Sequence, residues 1–141
     1  MNKILQVGCL MYHYNYQVII LSQDLSLYEK VSATTSLPGF TNIVSHVNEV
    51  DASLKNADLL LCQAAPSVLE QALALLPADA IKVYLGSAEE LEQLSPTTLA
   101  LLDDFWRLPL ADKLLDSKIA KLFASIKRQK DHHLTKNYFE T

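Results

Sequence analysis

Residues 58–66 read Asp58-Leu-Leu-Leu-Cys-Gln-Ala-Ala-Pro66, with four consecutive apolar residues, Leu59 to Cys62, between an acidic start and a proline. A half-exposed strand alternates apolar and polar side chains, whereas a strand covered on both faces is apolar throughout. The run is therefore read as the middle strand of a parallel sheet.

The flanking chain repeats a strand–turn–helix rhythm. Upstream, Gln17 to Leu21 is a short apolar run. It ends at Ser22-Gln23-Asp24, where helix-capping residues precede an amphipathic stretch carrying Leu27, Tyr28 and Val31. Pro38-Gly39 breaks the pattern, and Thr41 to His46 is β-prone. Asn48 is expected to cap a short helix running through Lys55. Beyond Pro66, Ser67 and Glu70 stand at capping-box spacing before a helix to Leu76. Ile81 to Leu85 is a fourth strand, and Ser87 with Glu90 repeats the capping-box spacing ahead of Leu91 and Leu94. Ser95-Pro96 restarts a helical turn, since proline suits the first helical position. Phe105 to Leu108 is a fifth strand ended by Pro109, and the final helix carries Leu114, Leu115, Ile119, Leu122, Phe123 and Ile126. Five such units predict an α/β, doubly wound, five-stranded parallel sheet with helices on both faces. In that architecture function lies beyond the carboxyl ends of the strands, which directs attention to Ser22 to Asp24, Cys62 to Ala65, Gly86 to Ser87, and Leu108.

A chain of 141 residues, half of them hydrophobic, is sized for one domain with a real core. Its net charge of −4 argues against a whole-surface attraction to nucleic acid. Cys9 and Cys62 are far apart and read as small apolar residues rather than a disulfide framework, which fits a reducing, cytoplasmic setting. The apolar segment Met1 to Met11 is too short to span a bilayer, so no membrane segment is expected. Residues 1–16, with Tyr12, Tyr14 and Tyr16 at period two, read as an added strand or a packing segment.

Other constellations carry little chemistry. Asp103 and Asp104 are adjacent, so on a strand they point to opposite faces and cannot act together as acid and base; they read as turn residues. His132 and His133 do not converge on a helix, while His13 and His46 have no visible partner, and all four read as solvated. Lys127, Arg128 and Lys130 read as an exposed helix end. With only Gly8, Gly39 and Gly86 in the chain, no glycine-rich phosphate loop can be built. No metal or cofactor is expected.

The segment from Leu102 to Ile119, Leu-Asp-Asp-Phe-Trp-Arg-Leu-Pro-Leu-Ala-Asp-Lys-Leu-Leu-Asp-Ser-Lys-Ile, resembles the end of a receiver domain of two-component signalling. That family shows an acidic or small pair, an aromatic, a lysine–proline pair and a leucine-rich last helix. The resemblance spans residues 17–126 in element order, and it implies a flavodoxin-like fold whose chemistry has been lost. The acidic pair that holds Mg²⁺ falls on Ser22 and Gln23, leaving Asp24 as the one carboxylate there. The acceptor aspartate falls on Gln63, or on Cys62 if the proline is the anchor. The hydroxyl residue falls on Gly86 with Ser87 beside it, and the conserved cation falls on Leu108. Without metal, nucleophile and cation, phosphoryl transfer loses its electrostatic stabilisation. The resemblance also implies a cis bond at Pro109. It places Phe105 at the family's switch aromatic, either on the output surface or in the core, with Trp106 pointing the other way.

The expectation is a degenerate pseudo-receiver: a non-catalytic, phosphorylation-independent signalling and interaction module, not an enzyme. It would be the N-terminal regulatory domain of a larger bacterial sensor kinase or diguanylate cyclase. The domain plan is an extension over 1–16, the receiver-like domain over 17–126, and a helical linker over 127–141 towards a downstream domain. The closing Asn-Tyr-Phe-Glu-Thr resembles the lead-in to a sensory PAS domain. Expected partners are proteins or downstream domains of the same chain, and a second copy through the last helix. That surface would use Phe105, Leu115, Ile119, Leu122, Ile126, Leu134 and Tyr138. The competing reading is a small-molecule-binding or enzymatic flavodoxin-like domain, which a deep polar pocket near Ser22, Gln63 and Ser87 would favour.

Overall fold

Leu59, Leu60, Leu61 and Cys62 are each 0 % exposed in strand β3 (Leu59–Gln63), so both faces of that strand are covered. The computed structural model describes residues 14–34 and 40–140, with side-chain detail over 15–34 and 41–129. The expectations for residues 1–13, for Pro38-Gly39, and for the side chains of Lys130, His132, His133, Leu134 and Tyr138 lie outside the described residues.

Around β3 the elements follow in order: β1 (Tyr14–Ser22), α1 (Ser26–Ser32), β2 (Phe40–Val47), a 3₁₀ turn (Ala52–Asn56), then β3, α2 (Pro66–Leu75) and β4 (Ile81–Ser87). The chain continues through α3 (Ala88–Glu92), α4 (Pro96–Leu101), β5 (Asp104–Leu108) and α5 (Asp112–Glu140). The strands form one five-stranded parallel sheet in the order β2-β1-β3-β4-β5. The order reverses at β1, the topological switch point of a doubly wound fold. Leu59 pairs with Val18 on one side and with Ile81 on the other, so β3 is the centre of the sheet.

The described chain divides into two compact units, residues 15–33 with 42–109, and a second that includes residues 110–140. Within the first, one face of the sheet is closed by a cluster containing Ile19, Leu21, Leu60, Cys62 and Tyr84 from the strands, Leu69 and Ala72 from α2, and Leu94 from the turn between α3 and α4. On α5, Ile119, Phe123 and Ile126 are buried, and Leu115 and Leu122 are half-buried. No helix among the described residues is long and apolar enough to cross a membrane.

Two aspartates tie the amino ends of the strands together. The Asp58 carboxylate accepts the Gln17 N–H at 2.8 Å, and the Asp103 carboxylate accepts the Lys82 N–H at 2.8 Å. Each precedes a strand and prolongs the ladder to its neighbour by one side-chain bond. Asp103 is thus more than a turn residue, and Asp104 opens β5, accepting the Trp106 indole N–H at 3.0 Å.

Local expectations fail where tertiary contacts compete. Strand β1 begins at Tyr14 rather than Gln17, because Tyr16 is buried and its hydroxyl reaches the Asp58 carbonyl at 3.3 Å. Asp51, not Asn48, caps the turn before β3, accepting the Ser53 N–H at 2.8 Å. The Ser67–Glu70 box is absent: Ala65 is the N-cap of α2 and Pro66 its first residue, while Glu70 meets the Thr98 hydroxyl at 3.5 Å. The box predicted at Ser87 and Glu90 is present with both bonds.

Because Leu60 is sealed at the centre of the sheet, Leu60→Ala should lower unfolding free energy by about 2–5 kcal/mol, the range for a core leucine truncation. Urea denaturation followed by circular dichroism measures it. A loss below about 1 kcal/mol contradicts the central placement of β3.

Candidate functional site

Parallel register fixes which side chains meet at the carboxyl ends of the strands. Leu21 stands beside Cys62 and Ser22 beside Gln63; Cys62 stands beside Tyr84, Tyr84 beside Phe105, and Ser87 beside Leu108. Successive residues alternate between faces. Cys62, Tyr84, Gly86 and Phe105 therefore share one face, and Ser22, Gln63, Ser87 and Leu108 the other.

At the end of β1 the polar groups are committed to one another. The buried Ser22 hydroxyl donates to the Asp24 carbonyl at 2.7 Å, and the Asp24 carboxylate accepts the Ser26 hydroxyl at 2.7 Å and the Ser26 N–H at 3.0 Å. Those bonds, the hydroxyl's first, hold the Asp24 carboxyl below the usual carboxylate range, with a smaller contribution from His46. His46 is half-buried rather than solvated. Its Nε2 donates to the Ser22 carbonyl at 3.0 Å, and its ring meets Tyr28 edge-on with centroids 6.1 Å apart. The exposed Gln23 donates its amide to the Asn48 carbonyl at 3.2 Å, pinning the loop after β2 to the loop after β1.

Cys62 offers no nucleophile. Burial pushes its thiol up to about 12, against a smaller opposing hydrogen bond from Ala64, so the thiolate is negligible at neutral pH. Ser87 is committed to capping α3, and Leu108 is a half-buried apolar residue whose bond to Pro109 is cis. Among the described residues, no group of three or more His, Cys, Asp and Glu could hold a metal ion.

The residue that dominates this end of the sheet is one the sequence reading passed over. Tyr84 is wholly buried, and its hydroxyl donates to the Ala64 carbonyl at 2.6 Å, bridging from β4 to the loop after β3. Burial, assisted by Glu90, raises its pKa, so it stays a neutral donor. Its ring lies over Gly86. A Cβ built there would sit 2.7 Å from Tyr84 Cε2 and 3.2 Å from Cζ. The sequence held one signal for this: a glycine inside a strand, two residues after a large aromatic, marks a close approach. On the same face Phe105 is 51 % exposed, while Trp106 on the opposite face is buried.

No protein-family model matches the sequence, and no curated protein matches it at a significant level. Solved structures do match. The inactive form of the regulatory domain from the repressor of iron transport regulator (RitR) aligns with a TM-score of 0.54 at 16% identity, over 79% of this chain and 97% of that one. The fold is receiver-like. An adenylate cyclase from Rhodopirellula baltica aligns with a TM-score of 0.49 at 12% identity, over 84% of this chain and 96% of that one.

Gly86→Ala tests the packing of this receiver-like site. Replacing a strand glycine by alanine ordinarily gains about 0.5–1 kcal/mol, but overpacking a ring held at its far end costs about 1–3 kcal/mol, and the clash wins. Unfolding measurements should show net destabilisation by Gly86→Ala and relief of that loss in the Tyr84→Ala background. Equal losses in both backgrounds would separate Gly86 from Tyr84.

Proposed function

We propose that this chain is a pseudo-receiver: a non-catalytic, phosphorylation-independent signalling and interaction module rather than an enzyme. The observation that carries the reading is the Tyr84 side chain, sealed over Gly86 and bonded to the Ala64 carbonyl, at the end of the sheet where doubly wound folds place their chemistry. The absence of a carboxylate at Cys62 and Gln63, and of a cation at Leu108, supports it from the sequence side. The fold shared with a regulatory domain, that of RitR, supports a regulatory role.

On this reading the domain plan is an extension over 1–16, the receiver-like body over 17–126, and a helical linker over 127–141. The module works in the cytoplasm as the N-terminal regulatory part of a larger sensor kinase or diguanylate cyclase, and its partners are proteins or downstream domains of the same chain. Incubation with acetyl phosphate and Mg²⁺ should leave the intact mass unchanged. A stable phosphoryl adduct on an aspartate would sink the reading.

A symmetric homodimer through α5 belongs to the same proposal. Ile119 and Ile126 are already buried in the single chain, so Leu115, Leu122 and the helix beyond residue 126 supply the contact. The pairing is weak, because the apolar seam is sparse and Lys127, Arg128 and Lys130 repel their copies across a parallel pair. Sedimentation should show association that rises with concentration and weakens when Leu134 and Tyr138 are changed to serine. Association untouched by those changes would move the interface elsewhere.

A further inference from the structure

Among the described strands β2 and β5 are the edges of the sheet, and an edge strand offers N–H and C=O groups to any chain that can lie beside it. The two edges differ. On β5 the Asp104 carboxylate accepts the Phe105 N–H at 2.8 Å and the Trp106 indole N–H at 3.0 Å, and Arg107 adds an exposed charge, so that edge is obstructed by its own side chains. By contrast, β2 reads Phe40-Thr-Asn-Ile-Val-Ser-His-Val47, with no Asp, Glu, Lys, Arg or Pro. It is also longer, eight residues against five. Its carboxyl end is held in place, His46 bonding the Ser22 carbonyl and Gln23 the Asn48 carbonyl, so the edge is a preformed template. Cover is thin there. The connection from β2 to β3 contains a five-residue 3₁₀ turn in place of an α-helix, and Ile43 remains 39 % exposed.

The sequence just before β1 has the composition of a strand that fits this edge. Ile4-Leu-Gln-Val-Gly-Cys-Leu-Met11 matches β2 in length, carries no charge and no proline, and sets Leu5, Val7, Cys9 and Met11 at period two. Its point of entry fixes its direction. The segment feeds β1 at Tyr14 with only Tyr12 and His13 between, and β1 runs parallel to its neighbour β2, so beside β2 it has to run antiparallel. From outside β2 to β1 is two strand spacings, about 10 Å, which the three steps from Met11 to Tyr14 span. That direction carries Lys3 to the carboxyl end of β2, where the exposed Glu49 and Asp51 follow. We propose that residues 4–11 pair with β2 as a sixth, antiparallel strand and close this edge against other chains. The inference goes beyond the pseudo-receiver reading and holds whether or not the chain accepts a phosphoryl group. Its consequence is that a second copy cannot add to β2, which leaves association to other surfaces.

Hydrogen exchange of the full chain, followed amide by amide by NMR, tests this. In an uncovered edge strand every second N–H faces outward and exchanges freely, whereas beside an added strand all are protected. The amides of Asn42 to Val47 should therefore all be slow in the wild-type chain, at any protein concentration. Val7→Pro together with Gly8→Pro removes two adjacent donors, one of which faces β2 because neighbouring N–H groups point opposite ways. That pair should speed every second β2 amide by about tenfold or more while Leu60 and Leu61 of β3 stay protected. If the double variant fails to fold, Val7→Asp, which keeps both donors but puts a charge in the apolar row, should speed the same amides. Fast alternate β2 amides in the wild type overturn the proposal, as does wild-type protection that survives these substitutions. Protection that fades on dilution assigns the edge to a second copy and overturns it too.

Discussion

Sealing β3 on both faces is the constraint on which the rest of the structure depends. Four adjacent side chains, Leu59 to Cys62, are removed from water at once, and adjacent strand residues point in opposite directions. Both faces of the sheet must therefore be covered, which requires β1 and β4 as neighbours and connections that cross the sheet rather than hairpins. Each sealed leucine contributes about 1.5–3 kcal/mol, so this single strand outweighs any one polar contact in the molecule. The Asp58 and Asp103 carboxylates then fix the amino ends of the ladders, which sets the register with which the carboxyl ends are presented.

At those carboxyl ends, several polar groups are tied to one another by internal hydrogen bonds. Ser22, Asp24 and Ser26 satisfy one another, His46 and Gln23 lock the adjoining loops, and Ser87 with Glu90 closes the start of α3. Tyr84 completes the closure by carrying a neutral hydroxyl to a backbone carbonyl across the strand ends. A buried donor paired in this way is costly to withdraw, since the carbonyl left behind would lose its partner in a low-dielectric surrounding. The same side chain both covers Gly86 and bridges from β4 to the loop after β3.

The readings that rest on local pattern correspond closely to the molecule where no distant group intervenes. The Ser87–Glu90 capping box and the cap at Ser95 need only residues three apart, and both form. The Ser67–Glu70 box has the same spacing, yet Pro66 at the first helical position moves the cap to Ala65, and Thr98 on α4 engages Glu70. His46 was invisible for a similar reason: its partners, the Ser22 carbonyl and the Tyr28 ring, come from an earlier strand and helix. Periodicity places a side chain on a face but does not say what waits there.

By itself, the sequence determined the architecture and which side chains are not encoded at the strand ends. An unbroken apolar run, flanked by alternating strand and helix signals, can be buried in few ways, and a carboxylate or lysine that is not encoded cannot be supplied by folding. The tertiary structure alone decided what lies over the end of β4. That Tyr84 would turn over Gly86 and reach Ala64 depends on the packing of neighbouring strands and on a gap one methyl group wide. Such packing is set by contacts between residues far apart in the chain, and no short-range pattern carries it.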